Sequence, residues 1–599
     1  MTSITEQAHE QYHATPWEVP VWEGSLFTLL DDAARFYPDR DALDFFGNAL
    51  TYSQIHRQVL KAARVLVDAG VGAGDVVAIA LPNCPQALVA FYACMRIGAV
   101  AAQHNPLAPA SQIHDQLVRH GGRVAIVWEK CADAYPLDSS TRLSTVFTVD
   151  LSAHMPVSQR ALLALPIKRA KKTRDQLRAD VPDSARSWDR AVARSAPIDE
   201  FYPHPMGSDR AVILHTSGTN GVPKSAPLTH SNIGTNVHQC VFWVWMLHEG
   251  AETFYSLLPY FHAFGLTFFL CAAIRLAATQ VVLPKFDAAL ALDAHRRRPI
   301  SFFVGVPPMF ERILKEAVRT HTDISSIRYS VAGAMPLSPE LAERWEETTG
   351  GIIVEGYGLS ETSPVLMGAP LSEKRRHGVL GVPFSSTQVR LVDLDDPTRD
   401  VEDGMPGEII VKGPQVFEGY LDAPEETASV FTEEGWLRTG DIGVNSDGFI
   451  TMVDRRKELI LSGGFNVYPS QVEDAIRSMP TVRDVAVVGI PRADQSEEIT
   501  AAILLEEGVD PLTLAQVREW AEKSIAHYAL PRQIVFIAEM PRNQMGKILR
   551  RRVREDIMSV AADTLSDAAR QVGARVQAAQ DAVTRVFRSP DDADGAERS

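Results

Sequence analysis

Apolar and polar residues in the N-terminal third of the chain follow two spacings in turn, one typical of helices and one typical of buried strands. Helical spacing recurs in four segments: Ser25 to Tyr37, Tyr52 to Ala69, Pro85 to Ile97 and Ile113 to His120. Between and after them lie short apolar runs that predict buried strands: Val76 to Leu81, Ala99 to Ala102, Val124 to Trp128 and Ala211 to Leu214. Strands that alternate with helices predict an α/β fold, with parallel sheets covered by helices.

Residues 151 to about 208 interrupt this alternation. Within them, residues 161–178 join an apolar segment to six cations: Lys168, Arg169, Lys171, Lys172, Arg174 and Arg178. This combination is typical of a peripheral contact with an anionic membrane surface. A solvated insertion is the alternative, since charged runs usually lie on exposed surface.

Composition narrows the class of protein. The chain has 599 residues, of which 45% are hydrophobic, and this length predicts more than one domain. Its net charge of −16 argues against a nucleic-acid partner, which requires a basic face. The five cysteines are scattered and contain no CxxC pair, so their spacing indicates neither disulfides nor a zinc site. Without a signal pattern at the N-terminus, we expect a cytoplasmic protein, with membrane contact through residues 161–178.

One hydrophobic window could be mistaken for a membrane span. Gly265 to Leu283 is the most apolar stretch, but Arg275, Thr279 and Gln280 interrupt it. We therefore expect a buried helix and strand at this place.

A loop of small residues follows the predicted strand Ala211 to Leu214. Its backbone N–H groups can turn toward one anion, because no bulky side chain intervenes; its members are Thr216, Ser217, Gly218, Thr219, Asn220 and Gly221. Lys224 adds a positive charge three residues later. A loop at the carboxyl end of a strand with this composition predicts a polyphosphate site.

Three interpretations of this loop are open. A GxxxxGK[ST] phosphate loop requires glycine before the lysine, where Pro223 stands without an N–H to donate. A plain surface turn is the default for such a composition. The third is a resemblance: the stretch is similar to the [ST]SG[ST][ST]GxPK loop of the adenylate-forming (ANL) superfamily, which includes long- and medium-chain fatty-acid–CoA ligases. Asn220 and Ser225 depart from that pattern, but both are small and polar.

Two further stretches carry residues suited to a nucleotide. In VAGAMPLSPE, Gly333 and Ala334 let a flat purine approach the backbone, and in GYGLSETSP the ring of Tyr357 can stack on it. The resemblance implies an adenine pocket here, to which Gly356 and Gly358 also belong, and it places Ser360 toward the phosphates. Glu361 in the second stretch lies toward the phosphates, where a carboxylate requires an intervening divalent cation. We therefore predict Glu361 as a Mg²⁺ ligand.

The remaining motifs complete the resemblance. Asp441 in GWLRTGDIG is predicted on a tight turn, where its carboxylate suits the ribose diol. By resemblance, Arg455 also contacts the ribose, Lys457 is the hinge between two domains, and Gly464 lies where the pantetheine of CoA passes. His262 in LPYFHAFGL is by default a core histidine, and the resemblance implies that it positions the acyl carboxylate. Lys547 in PRNQMGKILRR corresponds to the lysine that reaches the active site of the large domain.

The resemblance spans about residues 25 to 553 and implies two domains, a large AMP-binding and acyl-binding domain (1–454) and a small mobile α+β domain (455–553). Residues 554–599 lie outside the resemblance, and we predict that they form a helical tail with a disordered acidic end. Apolar residues at seven-residue spacing in the tail predict a long amphipathic helix, which forms a coiled coil or packs on its own protein.

The predicted reaction is the ATP-dependent activation of a fatty acid. The acid would form acyl-AMP with ATP and Mg²⁺, and CoA would then take the acyl group as a thioester. A fatty acyl-AMP ligase serving a carrier protein and an aryl-CoA ligase are alternatives. A lipid-binding relic is the non-enzymatic alternative, which would be expected to have lost Glu361, Asp441 or Lys547; all three are present.

Overall fold

A computed structural model describes residues 4–12, 14–216, 224–462, 465–492, 497–543 and 546–559. The chain divides into two compact units, Met1–Met452 and Val453–Ser599. Each unit has its own sheets and helices. The predicted α/β class, with a large sheet-rich part followed by a smaller one, is confirmed.

Twenty strands are described up to the end of the first unit: β1 Asp41–Phe45, β2 Asn48–Thr51, β3 Val76–Ala80, β4 Val100–Gln103, β5 Val124–Trp128, β6 Thr145–Val149, β7 Arg186–Ser187, β8 Arg210–Thr216, β9 Lys224–Thr229, β10 Thr253–Ser256, β11 Thr279–Val282, β12 Phe302–Gly305, β13 Tyr329–Gly333, β14 Ile352–Gly358, β15 Val365–Gly368, β16 Val382–Pro383, β17 Gln388–Val392, β18 Gly407–Lys412, β19 Leu437–Ser446 and β20 Phe449–Arg455.

The described part of this unit has fifteen α-helices: α1 Ile4–Gln11, α2 Phe27–Phe36, α3 Tyr52–Asp68, α4 Pro85–Ile97, α5 Ala110–His120, α6 Val157–Ala164, α7 Lys168–Leu177, α8 Trp188–Arg194, α9 His230–Trp243, α10 Ala263–Gly265, α11 Ala273–Arg275, α12 Ala288–Arg297, α13 Pro307–Thr320, α14 Pro339–Thr349 and α15 Pro424–Val430. A π-helix, Leu266–Ala272, joins α10 to α11, and short 3-10 helices cover Glu129–Ala134, Leu151–His154 and Ser360–Thr362.

The first sheet has seven strands in the order β7-β6-β5-β3-β4-β8-β9. All neighbours are parallel except β8 and β9, which form an antiparallel hairpin. Helix α5 covers one face, burying Ile113 and Leu117 against Ala78, Ala80 and Val127. The predicted phosphate loop therefore connects two paired strands at the edge of this sheet.

The second sheet has nine strands in the order β16-β15-β14-β13-β12-β10-β11-β1-β2. Its six central strands are parallel, and antiparallel strands close both edges. Because β13 and β14 are parallel, with Gly333 opposite Gly356, their carboxyl ends meet at one edge of the sheet. A third sheet, of order β17-β18-β19-β20, completes the set.

The second unit is α+β. Its elements are β21 Ile460–Ser462, β22 Phe465–Val467, α16 Pro469–Arg477, β23 Val482–Pro491, β24 Glu497–Leu505, α17 Leu514–Ala521 and β25 Gln533–Phe536, with 3-10 helices at Arg456–Glu458 and His527–Ala529. Strands β23, β24 and β25 form one sheet. Helix α16 packs on it through Val472 and Ile476 against Val485 and Ile503. Residues 550–559 are helical.

Several predicted elements are confirmed closely. Helix α4 runs from Pro85, whose fixed φ suits the first helical turn, to Ile97, and Gly98 then takes a left-handed φ of +74°. Thr51 and Gln54 form a capping box that begins α3. The window Gly265 to Leu283 is a buried helix and strand as expected, and the described helices include none long and apolar enough to cross a bilayer.

Residues 151–208 do not simply interrupt the alternation of strands and helices, because β7 extends the first sheet and α8 buries Trp188.

The tail prediction concerns residues 554–599, of which residues 560–599 lie outside the described residues. The described residues 554–559 continue the helix that starts at residue 550.

Candidate active site

A mostly apolar cavity of about 670 Å³, including its open mouth, lies beside the carboxyl ends of β13 and β14. The segment His262 to Phe268 forms one wall, and helix α9 contributes Cys240, Trp243 and Val244. Six residues singled out in the sequence line it: His262, Gly333, Ala334, Gly356, Gly358 and Ser360. The fold thus brings the predicted acyl and adenine motifs together.

His262 caps the start of α10 at the cavity wall. Its Nδ1 accepts a long hydrogen bond of 3.4 Å from the backbone N–H of Phe264. Burial lowers the pKa of His262 below its usual value, which favours the neutral ring at pH 7. A neutral imidazole whose Nδ1 accepts a hydrogen bond has its proton on Nε2, where it can donate to a carboxylate.

Close packing requires two of the glycines at this edge, Gly333 and Gly358. A Cβ on Gly333 would lie 2.9 Å from the ring of Phe264, and one on Gly358 would lie 1.7 Å from the carbonyl oxygen of Pro364. Ala334 has a φ of +65°, which is unusual for a residue with a side chain. A side chain larger than hydrogen at either glycine would displace the wall and occupy the space that a flat ligand needs.

Tyr357 and Asp441 are in contact. The Tyr357 hydroxyl donates to Asp441 Oδ2 at 2.6 Å. The prediction that Asp441 lies on a tight turn is wrong: it lies within β19, just after Gly440, whose φ is +70°. The strand register shifts here, between the pairs Glu408–Ile442 and Ile410–Arg438, and such a bulge re-aims a side chain without ending the strand.

Glu361 and Lys224 both contact one tyrosine, Glu361 at the hydroxyl and Lys224 over the ring. The hydroxyl of Tyr420 donates to Glu361 Oε1 at 2.8 Å, and Lys224 Nζ lies 4.6 Å from the centre of the same ring. Burial, followed by the charge of Glu361, raises the pKa of Tyr420, so the hydroxyl stays protonated and donates. Within the described part of the chain, Glu361 Oε2 accepts no hydrogen bond, which leaves an oxygen for a ligand.

The hairpin of β8 and β9 holds the two ends of the predicted phosphate loop. Thr216 pairs with Lys224, and His215 pairs with Ser225. The N–H of Leu421 donates to the Ser225 carbonyl at 2.9 Å, which places Tyr420 beside the hairpin. The loop residues between them lie outside the described residues: Ser217, Gly218, Thr219, Asn220 and Gly221.

The second unit contains the other predicted residues. Arg455 ends β20, Lys457 lies in the 3-10 helix Arg456–Glu458, and Gly464 lies outside the described residues. The backbone of Lys547 is paired with Asn543: its N–H donates to Asn543 Oδ1 at 2.9 Å and its carbonyl accepts from the Asn543 N–H at 2.9 Å. This pairing fixes the position of the Lys547 backbone relative to Asn543.

A network of ion pairs and hydrogen bonds supports the segment from Asp454 to Glu458. Glu458 forms an ion pair with Arg550, and Arg550 also pairs with the buried Glu473 at 2.6 Å. Asp454 Oδ2 accepts from the N–H of Ser470 at 2.8 Å. Glu458 therefore has a structural partner within its own unit.

Sequence analysis missed several residues of the site. Tyr420, Trp243, Cys240 and Phe384 have no motif to identify them, because they reach the site only through long-range packing. Glu355 was not predicted as a site residue either. Its carboxylate is buried in the cavity wall and accepts N–H groups of Leu337, Gly378 and Val379, while burial raises its pKa to about 7.

Known proteins are similar to this chain in sequence and in fold. The family described as AMP-binding enzyme matches residues 30–421, and the AMP-binding enzyme C-terminal domain matches residues 471–547. A long-chain-fatty-acid–CoA ligase of Bacillus subtilis (strain 168) is 33% identical over 548 residues, which are 90% of this chain and 96% of the relative. 4-Coumarate–CoA ligase 3 of Oryza sativa subsp. japonica is 31% identical over 537 residues, which are 87% of this chain and 90% of the relative. The crystal structure of ATP-bound MatB from Rhodopseudomonas palustris superposes with a TM-score of 0.74 at 27% identity, covering 89% and 99%.

Proposed function

Because this chain belongs to the AMP-binding enzyme family, we propose that it is a fatty-acid–CoA ligase that forms acyl-AMP from ATP and then transfers the acyl group to CoA. The observation that carries the proposal is the apolar cavity, whose wall combines His262 with the glycine edge and continues through Ser360 to Glu361. An apolar chain and a nucleotide would be bound side by side there, with the carboxylate next to the phosphates.

The donor set suits Mg²⁺ at Glu361. Hard cations prefer carboxylate oxygens together with water and phosphate oxygens. Tyr420 fixes one carboxylate oxygen, and Oε2 accepts no hydrogen bond within the described residues. When bound, Mg²⁺ would neutralise negative charge on the phosphates of ATP. Lys224, over the ring of Tyr420, would add a second positive charge.

The remaining nucleotide contacts follow from position. We assign the phosphates to the loop from Thr216 to Gly221 and to Ser360. We assign the adenine to the edge formed by Gly333, Ala334 and Gly356 to Gly358, with Tyr357 stacked on it. The carboxylate of Asp441 and the guanidinium of Arg455 would hold the ribose.

The chemical step needs charge stabilisation more than proton transfer. A carboxylic acid is already ionised at neutral pH, so its attack on the α-phosphate requires no general base. Negative charge builds on the phosphoryl oxygens, and Lys547, Lys224 and the loop amides would stabilise it. The bond from the α-phosphorus to pyrophosphate breaks as the acyl-phosphate bond forms. His262 would hold the attacking carboxylate by donating from Nε2.

The second step uses residues of the small domain, for which we propose bounds of 455–553. Gly464 would border the path of the pantetheine, and Lys457 would act as the hinge. The thiol of CoA supplies the nucleophile, so no cysteine of the protein is needed. All five cysteines are buried and free.

The deciding experiment is pyrophosphate release over a panel of fatty, aryl and short acids, each with and without CoA. A fatty-acid–CoA ligase releases pyrophosphate with fatty acids and forms acyl-CoA and AMP only when CoA is added. Acyl-AMP that does not react with CoA would favour a fatty acyl-AMP ligase serving a carrier protein. A preference for cinnamate-like acids would favour the aryl-CoA alternative. The similarity to 4-coumarate–CoA ligase 3 is the reason for testing these acids.

We also propose that residues 161–178 contact anionic membranes. In this segment, Leu162 is 59% exposed and Ile167 54% exposed, next to four exposed cations: Lys168, Arg169, Lys171 and Lys172. Exposed apolar side chains beside cations suit a bilayer surface. By contrast, Arg174 and Arg178 are engaged within the protein, with the Leu163 carbonyl and with Glu129.

Flotation with liposomes tests this contact. The four exposed cations are changed to glutamine, and the control changes four exposed arginines of the second unit, Arg483, Arg532, Arg551 and Arg552. Loss of flotation with anionic liposomes only in the first variant supports the contact. Equal flotation of both variants and the unchanged protein contradicts it.

A further inference from the structure

Three histidines that no motif singles out converge in the first sheet. His104 directly follows β4 and His215 lies near the end of β8, two parallel strands with Gln103 opposite Leu214, so the two histidines come side by side. His120 is the last residue of α5, which packs over the same sheet. One ring nitrogen from each of the three histidines lies within 4.8 Å of the others.

Hydrogen bonds surround the cluster on its outer side. His104 Nδ1 lies 3.0 Å from the hydroxyl of Tyr135, and His215 Nδ1 lies 3.1 Å from Ser225 Oγ. In metal sites, the ring nitrogen that does not bind the ion usually has such an oxygen partner, which fixes the orientation of the ring. His104 and His215 therefore already have the oxygen partners that metal-binding histidines usually have.

The Nε2 atoms on the inner side of the cluster have too few hydrogen-bond partners. His104 Nε2 and His120 Nε2 are 2.9 Å apart, so they share a single proton between two lone pairs. His215 Nε2 is buried and has no hydrogen-bond partner in the described part of the chain. A buried ring nitrogen without a partner costs free energy, and a cation placed among the three nitrogens would satisfy all of them.

The rings are in the protonation state that binds metals. Burial lowers the pKa of His120 to about 4 and that of His215 to about 3, and it also lowers the pKa of His104. All three are therefore neutral at pH 7, and metal binding would not compete with an imidazolium proton.

We propose that His104, His120 and His215 bind one zinc-class divalent cation through their Nε2 atoms. Three neutral imidazoles select a borderline cation such as Zn²⁺ over Mg²⁺ or Ca²⁺, which prefer oxygen ligands. Three protein ligands leave a fourth position for water or a small anion. Since His215 precedes Thr216 in the chain, the cation would fasten β8, β4 and α5 directly below the phosphate-loop hairpin.

Binding has one local cost, at His120. Its Nδ1 accepts the N–H of Gly122 at 3.0 Å, which puts the proton of the neutral ring on Nε2. Coordination through Nε2 requires that proton to move to Nδ1, so the Gly122 N–H must turn away. Two neutral hydrogen bonds are therefore lost, the one from Gly122 and the one between His120 Nε2 and His104 Nε2, while three coordination bonds are formed.

The test uses the full-length chain without an affinity tag, stripped with a chelator and titrated with Zn²⁺ or Co²⁺ in excess Mg²⁺. We expect one equivalent to bind per chain, with submicromolar affinity and the visible absorption bands of tetrahedral Co²⁺. The variants His104→Gln, His120→Gln and His215→Gln should each weaken Zn²⁺ binding at least a hundredfold. Two controls should bind Zn²⁺ normally: His295→Gln, which changes a buried histidine elsewhere, and Glu361→Gln, which changes the proposed Mg²⁺ site.

X-ray absorption on the unmodified protein does not depend on how the variants fold. It should show three imidazole nitrogens at about 2.0–2.1 Å from zinc. No stoichiometric binding, binding unaffected by the three histidine variants, or a zinc shell without three imidazoles would each overturn the proposal. In that case the cluster is a hydrogen-bonded part of the core.

Discussion

The hydroxyl of Tyr357 donates a hydrogen bond to Oδ2 of Asp441 over 2.6 Å, although 84 residues separate the two in the chain. Tyr357 lies near the end of β14, and Asp441 lies in a different sheet, within β19. A hydrogen bond therefore links the ring proposed to stack on adenine to the carboxylate proposed to bind the ribose. A change in either residue should alter the position of the other side chain.

The first prediction removes this link. Tyr357→Phe keeps the ring but not the hydroxyl, so Asp441 loses a charged hydrogen bond of the kind worth about 1.5–3 kcal/mol. Part of that energy orients the carboxylate for ATP, and we expect KM for ATP to rise about three- to tenfold with a smaller change in kcat. Tyr255→Phe, which removes a hydroxyl bonded to the Ala291 carbonyl in the core, is the matched control. An unchanged KM for ATP in Tyr357→Phe would show that Asp441 needs no such support.

The second prediction concerns Glu361. Glu361→Gln keeps an oxygen for Tyr420 but removes the negative charge that a hard cation requires. We expect kcat/KM to fall about a hundredfold or more, with partial recovery as the Mg²⁺ concentration is raised. Tyr420→Phe should cost much less, because it leaves the carboxylate in place. A loss that Mg²⁺ does not relieve, equal in both variants, would assign Glu361 a purely structural role.

The third prediction concerns acyl-chain length. Cys240 is buried in α9 and lines the cavity beside Trp243, which stacks on Phe384 with ring centres 4.2 Å apart. Cys240→Phe should fill the cavity and lower kcat/KM for a sixteen-carbon acid about tenfold more than for an eight-carbon acid, with some loss of stability from overpacking. Phe384→Ala should shift the ratio the other way. The ratio within each variant corrects for changes in active fraction, and a ratio that stays constant in both would place the acyl chain elsewhere.

Sequence patterns predicted local structure well and long-range assembly poorly. Helix α4 was placed from Pro85 to Ile97 because proline and glycine act through their own backbone. Asp441 was misplaced on a turn, because a bulge inside a strand contains the same Thr-Gly-Asp residues that a turn uses. The local sequence therefore determines where a helix begins and ends, but it does not show whether a Thr-Gly-Asp segment pairs with a neighbouring strand.

The candidate site shows the same division. Glu361 and Lys224 were found by motif, whereas Tyr420, which contacts both, was not. Cysteine spacing gave no indication of zinc, and the cluster of His104, His120 and His215 becomes visible only when parallel strand register brings two of them together. Residues that meet through sheet order have no fixed spacing in the chain, so no pattern could have joined them.

The last prediction separates the two half-reactions. The backbone N–H of Lys547 donates to Asn543 Oδ1, and the side chain of Lys547 is proposed to stabilise charge only while pyrophosphate leaves. Lys547→Ala should lower acyl-AMP formation about a hundred- to a thousandfold, measured as pyrophosphate release. The same variant, given synthetic acyl-AMP and CoA, should form acyl-CoA at nearly the normal rate.

Lys523→Ala is the matched control, because Lys523 lies over the ring of Trp520 in the same unit and has no proposed part in either step. It should leave both half-reactions unchanged. Equal damage to both half-reactions by Lys547→Ala would mean that the lysine supports the fold of its unit, a possibility that thermal unfolding of the two variants measures directly. If acyl-AMP formation is normal without Lys547, the charge on the phosphoryl oxygens must be stabilised by the first unit alone.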